Sequence, residues 1–168
     1  ETKEQVGVIG VGRMGLPIVK HLIRHGHEVI ACDIDTGNLA KARDLGARVA
    51  GTPAELGKHL RFVILGVGYD DEVNTVAIGE SGVLATLSKG SIVAVSSTVA
   101  PETVKALDAR AREKSCDVLD APICRGRWFA DEGKLLALFG GKPDVIARGR
   151  TVYSAFCSDI AVLGDVGH

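Results

Sequence analysis

Aromatic side chains are scarce in this sequence, 4% of 168 residues, with a single Trp and a single Met. Cysteine is also sparse: Cys32, Cys116, Cys124 and Cys157 stand far apart and form no C-x-x-C pair. That spacing supports neither a zinc site nor a disulfide framework, and reduced thiols in a cytoplasmic protein are the expectation. No apolar run approaches the ~20 residues that span a bilayer. The opening Glu1-Thr2-Lys3-Glu4-Gln5 is charged and lacks the apolar stretch of a signal peptide. Charge of one sign is missing too: 20 Lys and Arg face 21 Asp and Glu, which leaves no electrostatic reason for a nucleic-acid or anionic-membrane partner.

Glycine, by contrast, is plentiful at 21 residues, and hydrophobic residues make up 46% of the chain. Many glycines beside short β-branched runs suit an α/β fold with tight strand-to-helix turns. The length allows one domain with a sizeable core. Short apolar runs at Val6–Ile9, Val29–Cys32, Phe62–Leu65, Ile92–Val95 and Asp117–Leu119 read as strands. Between them, helical spacing appears over 16–25, 38–45, 70–77 and 101–114. Arg48–Ala50 reads as a short extra strand. Thr52-Pro53-Ala54-Glu55 is a helix start, with Thr at the cap, Pro in the first turn and Glu three residues on. The tail continues with a strand at 135–139, a helix at 143–156 and a strand at 160–163. Alternation of this kind with short links means βαβ units and a mostly parallel, doubly wound sheet.

Gly10-Val11-Gly12-Arg13-Met14-Gly15 is a G-x-G-x-x-G sequence. It follows one predicted strand and opens one predicted helix, the context in which the pattern carries chemistry. Gly10 serves the tight turn, Gly12 lets backbone approach a pyrophosphate, and Gly15 lets helix and strand pack closely. Free N–H groups at the helix start then receive the phosphates. Arg13 and Met14 sit at the bend, beside the expected ligand. Asp33 ends the second predicted strand, roughly twenty residues past the glycines, where a carboxylate accepts ribose hydroxyls and repels a 2′-phosphate. Ile34 follows it, so no Arg stands ready for that phosphate. These residues predict a Rossmann-type domain that binds NAD in preference to NADP.

Val8-Ile9-Gly10-Val11-Gly12-Arg13-Met14-Gly15-Leu16-Pro17 resembles the β-hydroxyacid dehydrogenase superfamily, which includes 3-hydroxyisobutyrate and 6-phosphogluconate dehydrogenases. Gly26-His27-Glu28-Val29, Ser97-Thr98-Val99-Ala100-Pro101-Glu102-Thr103, Leu119-Asp120-Ala121-Pro122, Gly140-Gly141 and Gly164-Asp165-Val166-Gly167 extend the likeness in order. The resemblance implies that Val67 and Gly68 touch the cofactor through backbone. It puts Thr98 beside the nicotinamide ribose and Ser97 beside a small hydroxyacid substrate.

Three departures qualify the likeness. The family's Val-Ser-Gly-Gly, which holds the substrate carboxylate, reads Ile123-Cys124-Arg125-Gly126 here, with Arg127-Trp128 following. Cys is a poor donor, and Arg in place of Gly is expected to lose easy access to positive φ. Arg125 or Arg127 is the candidate replacement grip on a carboxylate or phosphate. Val95 stands where an Asp is common. The sequence ends at His168, before the family's catalytic lysine and its all-helical second domain. No residue here takes the lysine's place: Lys134 reads as a surface charge, and the histidines as solvated or core side chains. The expectation is the cofactor half of an NAD-dependent dehydrogenase, inactive by itself, whose homo-oligomer would form through the second domain. An imine or carbonyl reductase on the same front domain, or a nucleotide-binding module without catalysis, are the alternatives.

Overall fold

The computed structural model describes residues 4–167. Glu1–Lys3 and His168, on which the readings of the two chain ends partly rest, lie outside the described residues.

Among the described residues, nine strands form one sheet. They are β1 (Gln5–Ile9), β2 (Glu28–Cys32), β3 (Arg48–Val49), β4 (Phe62–Leu65), β5 (Ile92–Val95), β6 (Asp117–Asp120), β7 (Ile123–Cys124), β8 (Leu135–Gly140) and β9 (Cys157–Gly164). The helices are α1 (Gly15–Arg24), α2 (Thr36–Asp44), α3 (Pro53–Gly57), α4 (Asp70–Ala77), α5 (Pro101–Glu113), α6 (Gly126–Asp131) and α7 (Pro143–Tyr153). The first six strands run parallel in the spatial order β3-β2-β1-β4-β5-β6. That is the order of a dinucleotide-binding doubly wound sheet, with its topological switch between β1 and β4.

Strand alternation explains how a sequence so poor in rings fills two cores. Phe62 and Ile64 face one side of the sheet with Val6, Val8, Ile92 and Ala94. Val63 and Leu65 face the other side with Ile9, Val93 and Val95. β4 and β5 are therefore apolar and buried at every position, the mark of strands covered on both faces. The first core also holds an aromatic cluster: Tyr153, fully buried, meets Phe139 and Phe156 at centroid distances of 5.1 and 4.7 Å. Val95, the position where the family often has Asp, is buried beside α4 and α5 and carries no polar function.

The tail departs from the simple alternation. β8 runs antiparallel to β6 and β7, and β9 then pairs parallel with β8. Because β6 and β7 meet β8 in succession through Asp120↔Gly140, Ile123↔Ala137 and Cys124↔Leu136, Ile123–Cys124 extends the line of β6 past the sheet's carboxyl edge. Two elements are not legible in the sequence here, the two-residue β7 and the six-residue helix α6. A short 3-10 turn at Val83–Ala85 was also not expected. Lys134 lies just before β8 rather than inside it, and its side chain is exposed. His21 and His27 are buried, whereas His25 is exposed.

Candidate nucleotide-binding cleft

All the loops that leave the carboxyl ends of β1, β2, β4, β5 and β6 lie along one edge, because these strands are parallel. The sheet ladder continues one residue into each loop: Gly10 N–H donates to Cys32 O (2.9 Å), Gly66 to Ile9 O (2.8 Å), Ser96 to Leu65 O and Ala121 to Val95 O (both 2.9 Å). Successive loops are thus pinned side by side before any side chain takes part.

The glycine loop lies between the β2 and β4 loops, and its three glycines answer to different demands. Gly10 has φ +93°, and a Cβ there would lie 2.6 Å from the Gly66 carbonyl oxygen. A Cβ on Gly15 would lie 2.1 Å from the carbonyl oxygen of Gly10. Both glycines are required by the fold itself. At Gly12 nothing lies closer than Asn38 Nδ2 at 3.7 Å, and the backbone is outside the left-handed region. None of the described residues forbids a side chain at Gly12, so what its missing Cβ leaves is an open approach to bare backbone at the start of α1. This is the cradle that a diphosphate needs.

Asp33 organises the neighbouring turn. Its Oδ2 accepts from Val11 N–H (2.8 Å), and its Oδ1 accepts from Asp35 N–H (2.9 Å). Asp35 in turn caps α2 by accepting from Asn38 N–H (3.0 Å). The carboxylate therefore shapes both the glycine loop and the turn after β2, and each of its oxygens keeps lone-pair capacity for a further donor. Between these loops and α4 opens a cleft of about 530 Å³, lined by Gly12, Asp33, Ile34, Val67, Glu72 and Val76 among others. Among the described residues, its walls include two carboxylates and no Lys or Arg. Ile34 is fully exposed at its mouth, an apolar side chain without a packing partner among the described residues. Cys32 lies at the cleft floor, where burial first and then Asp33 and Glu55 push its thiol up to about 11, so it stays a neutral thiol.

The positions picked from the sequence divide into two groups. Gly10, Val11, Gly12, Arg13, Met14, Gly15, Asp33, Val67 and Gly68 all belong to the loops around this cleft. Ser97 and Thr98 sit one strand over, after β5. Ser97 is buried with its hydroxyl directed at Leu65 O (3.4 Å), while Thr98 is exposed. Cys124, Arg125 and Gly126 lie farther out, past the end of β6. The expectation that Arg125 loses access to positive φ is corrected by the structure: Arg125 has φ +89° and Gly126 has φ +75°. The Arg125 guanidinium is already engaged, donating to Asp159 Oδ2 (2.7 Å), Ser158 Oγ (3.0 Å) and Lys134 O (3.2 Å). Arg127 pairs with Asp131 at 3.1 Å, one turn along α6. Both arginines are thus held by residues of this chain.

Sequence reasoning missed two polar links that hold the loops in place. Asp70, first residue of α4, accepts through Oδ2 from Ala100 N–H (3.0 Å) and Thr103 Oγ1 (2.5 Å). These bonds, Thr103's first, hold its carboxyl below the usual aspartate range. Ser96 and Tyr153 share a buried 2.5 Å hydrogen bond between β5's end and α7. The acidic run Asp70-Asp71-Glu72 is legible as a helix start, but Asp70's partners lie 30 and 33 residues away. Among the described residues, no cluster of His, Cys, Asp and Glu could hold a metal ion, and no helix is long and apolar enough to cross a membrane.

A glycine-loop cleft at the switch point of a parallel sheet defines a nucleotide-binding domain. More narrowly, residues 5–164 match the family described as the NAD binding domain of 6-phosphogluconate dehydrogenase, and the chain belongs to that family. Mouse 3-hydroxyisobutyrate dehydrogenase, mitochondrial, is 30% identical over 99% of this chain and 50% of its own length. The 3-sulfolactaldehyde reductase of Escherichia coli is 31% identical over 96% of this chain and 54% of its own length. Among solved structures, Mycobacterium tuberculosis 3-hydroxyisobutyrate dehydrogenase with L-serine superposes with a TM-score of 0.92 at 24% identity, over 99% of this chain and 56% of that one. A structure titled Psf3 in complex with NADP+ and 2-OPP has a TM-score of 0.92 at 28% identity, over 96% of this chain and 57% of that one. The chain spans about half the length of the curated relatives it matches.

Proposed function

We propose that this chain is the cofactor-binding half of an NAD-dependent oxidoreductase that acts on the hydroxyl of a small β-hydroxyacid of the 3-hydroxyisobutyrate type. The observation that carries the reading is the cleft itself, open at Gly12 and bounded by Asp33. The α1 N-terminus and the Gly10–Gly15 backbone receive the pyrophosphate. Asp33 accepts the adenosine ribose hydroxyls with the capacity left by Val11 and Asp35. A 2′-phosphate would meet the Asp33 carboxylate, with no Lys or Arg among the described residues that line the cleft, so NAD is preferred. Ile34 lays an apolar surface against the adenine.

With the adenosine at β2, the loops after β1, β4 and β5 would hold the other half of the dinucleotide. Val67 and Gly68 line its path with backbone, and Thr98 and Ser97 stand at its end beside the substrate. When bound, the nicotinamide supplies a hydride acceptor. What this chain contributes is position: the loops after β4 and β5 fix that ring's site against the substrate's. Removal of the hydroxyl proton falls to a lysine of the protein's second, helical half, so the 168-residue chain alone does not turn over. The same half makes the oligomer contact. Four unpaired cysteines suit a reducing compartment such as the cytoplasm.

An imine- or carbonyl-reducing enzyme is the second reading, favoured by Cys124 and Arg125 where the family's substrate loop has Ser and Gly. NADH formation measured with 3-hydroxyisobutyrate and glycerate separates the readings. The longer protein should reduce NAD+ with such acids and the 168-residue chain should not. Turnover by the chain alone would show that another base is present. Activity of the longer protein on imines but not on hydroxyacids would move the assignment to the second reading.

A further inference from the structure

We infer that Asp70 is a positioning residue that locks the loop after β4 to the loop after β5 and so sets where the nicotinamide half of the cofactor rests. The inference rests on the cofactor reading above. Asp70 directly follows Gly66–Tyr69, the loop that closes one side of the cleft. Its carboxylate reaches beyond its own helix. It crosses to α5 and accepts from Ala100 N–H (3.0 Å) and Thr103 Oγ1 (2.5 Å) through a single oxygen.

α5 needs such a partner, because its own cap residue is Ala100, which has no side-chain acceptor to offer. A carboxylate at a helix N-terminus is favoured both by the helix dipole and by the free donors there. Ala100 is two residues from Thr98, so the Asp70 bond fixes the short stretch that carries Ser97 and Thr98. On the other side of the same loops, Leu65 O receives both Ser96 N–H (2.9 Å) and Ser97 Oγ (3.4 Å). The β4 and β5 loops are thereby joined at two levels, by backbone at the sheet edge and by Asp70 above it. The adenosine side has its own lock in Asp33, 2.8 Å from Val11 N–H. Because the two locks are separate, loss of Asp70 should loosen one half of the dinucleotide site and spare the other.

The discriminating experiment compares NAD+ with ADP-ribose, which carries the adenosine and diphosphate but no nicotinamide. Both are titrated calorimetrically into the wild-type chain, Asp70→Ala and Asp70→Asn. Asp70→Ala should weaken NAD+ by roughly tenfold, the ratio that corresponds to 1.4 kcal/mol, while ADP-ribose affinity stays within about twofold by the same conversion. Asp70→Asn keeps a carbonyl acceptor and should recover much of the NAD+ affinity. A role confined to folding would lower both affinities together with the melting temperature. Equal losses for the two ligands, or no loss of NAD+, overturn the inference. If Asp70→Ala does not fold, Thr103→Val removes one of the two bonds and should show the same selective loss in smaller measure; no selectivity there is equally contrary. Failure of the wild-type chain to bind either ligand would instead overturn the cofactor reading, and this inference with it.

Discussion

Alanine at Gly12 and alanine at Gly15 should produce opposite phenotypes although the two positions share one motif. At Gly12 the new methyl meets nothing closer than 3.7 Å, and the backbone there needs no glycine. Replacing glycine at a compatible position narrows the unfolded ensemble and stabilises by about 0.4–1 kcal/mol. Gly12→Ala should therefore melt at or slightly above the wild-type temperature, at about 2–4 °C per kcal/mol for a domain of this size. The same methyl points into the open approach to the loop backbone, so NAD+ affinity should fall by at least about tenfold, or ~1.4 kcal/mol. At Gly15 the methyl would lie 2.1 Å from Gly10 O, and α1 must retreat from β1 to admit it. Overpacking of this kind costs about 1–3 kcal/mol. Thermal unfolding and calorimetric titration of both variants read the two effects separately. The reasoning fails if Gly12→Ala is as unstable as Gly15→Ala, or if it is stable and binds NAD+ as tightly as wild type.

Three more outcomes follow from particular contacts. Arg125→Ala keeps the left-handed backbone at residue 125 while Arg125→Gly relieves it, and both lose the Asp159 pair; Gly should be the more stable by up to ~1 kcal/mol in denaturant unfolding, and the reverse order would show the conformation to be unstrained. Tyr153→Phe leaves the buried Ser96 hydroxyl without its partner and should cost about 1–3 kcal/mol, most of which a second change, Ser96→Ala, restores; additive losses would deny the coupling. Asp70 and Asp159 have lowered pKa values in the fold, chiefly from Thr103 and Arg125 respectively, so their stabilisation is complete above the ordinary aspartate value of ~3.9 and disappears as pH falls through the lower folded values. Unfolding followed from pH 5 down to pH 2 should show a weaker acid-induced loss in Asp70→Asn than in wild type, and identical profiles would contradict the assignment.

The parallel half of the molecule was legible because its signals are local. Phe62–Leu65 and Ile92–Val95 are apolar at every position, which only a strand buried on both faces tolerates. The glycine pattern and Asp33 lie within one βαβ unit, and their roles depend on chain neighbours. What could not be read depends on contacts distant in sequence. β7 exists through its pairing with Leu136 and Ala137, and the antiparallel direction of β8 leaves no trace in a hydrophobic pattern. Arg125 shows the limit of residue-type reasoning. Arg disfavours positive φ, yet its bonds to Lys134, Ser158 and Asp159 hold it there. The same bonds engage one nitrogen, Nη1, of the group that the sequence offered as a substrate grip. Asp70 was visible as an acid at a helix start, but its bonds to Ala100 and Thr103 required the fold.

Cofactor choice tests the account most directly, because the proposal rests it on Asp33 and on the lack of Lys and Arg among the described residues that line the cleft. Side-by-side calorimetric titration of the 168-residue chain with NAD+ and NADP+ should give an NAD+ affinity at least about tenfold higher, a difference of ~1.4 kcal/mol, and Asp33→Ala should narrow that gap. Equal affinities, or tighter binding of NADP+, would contradict it.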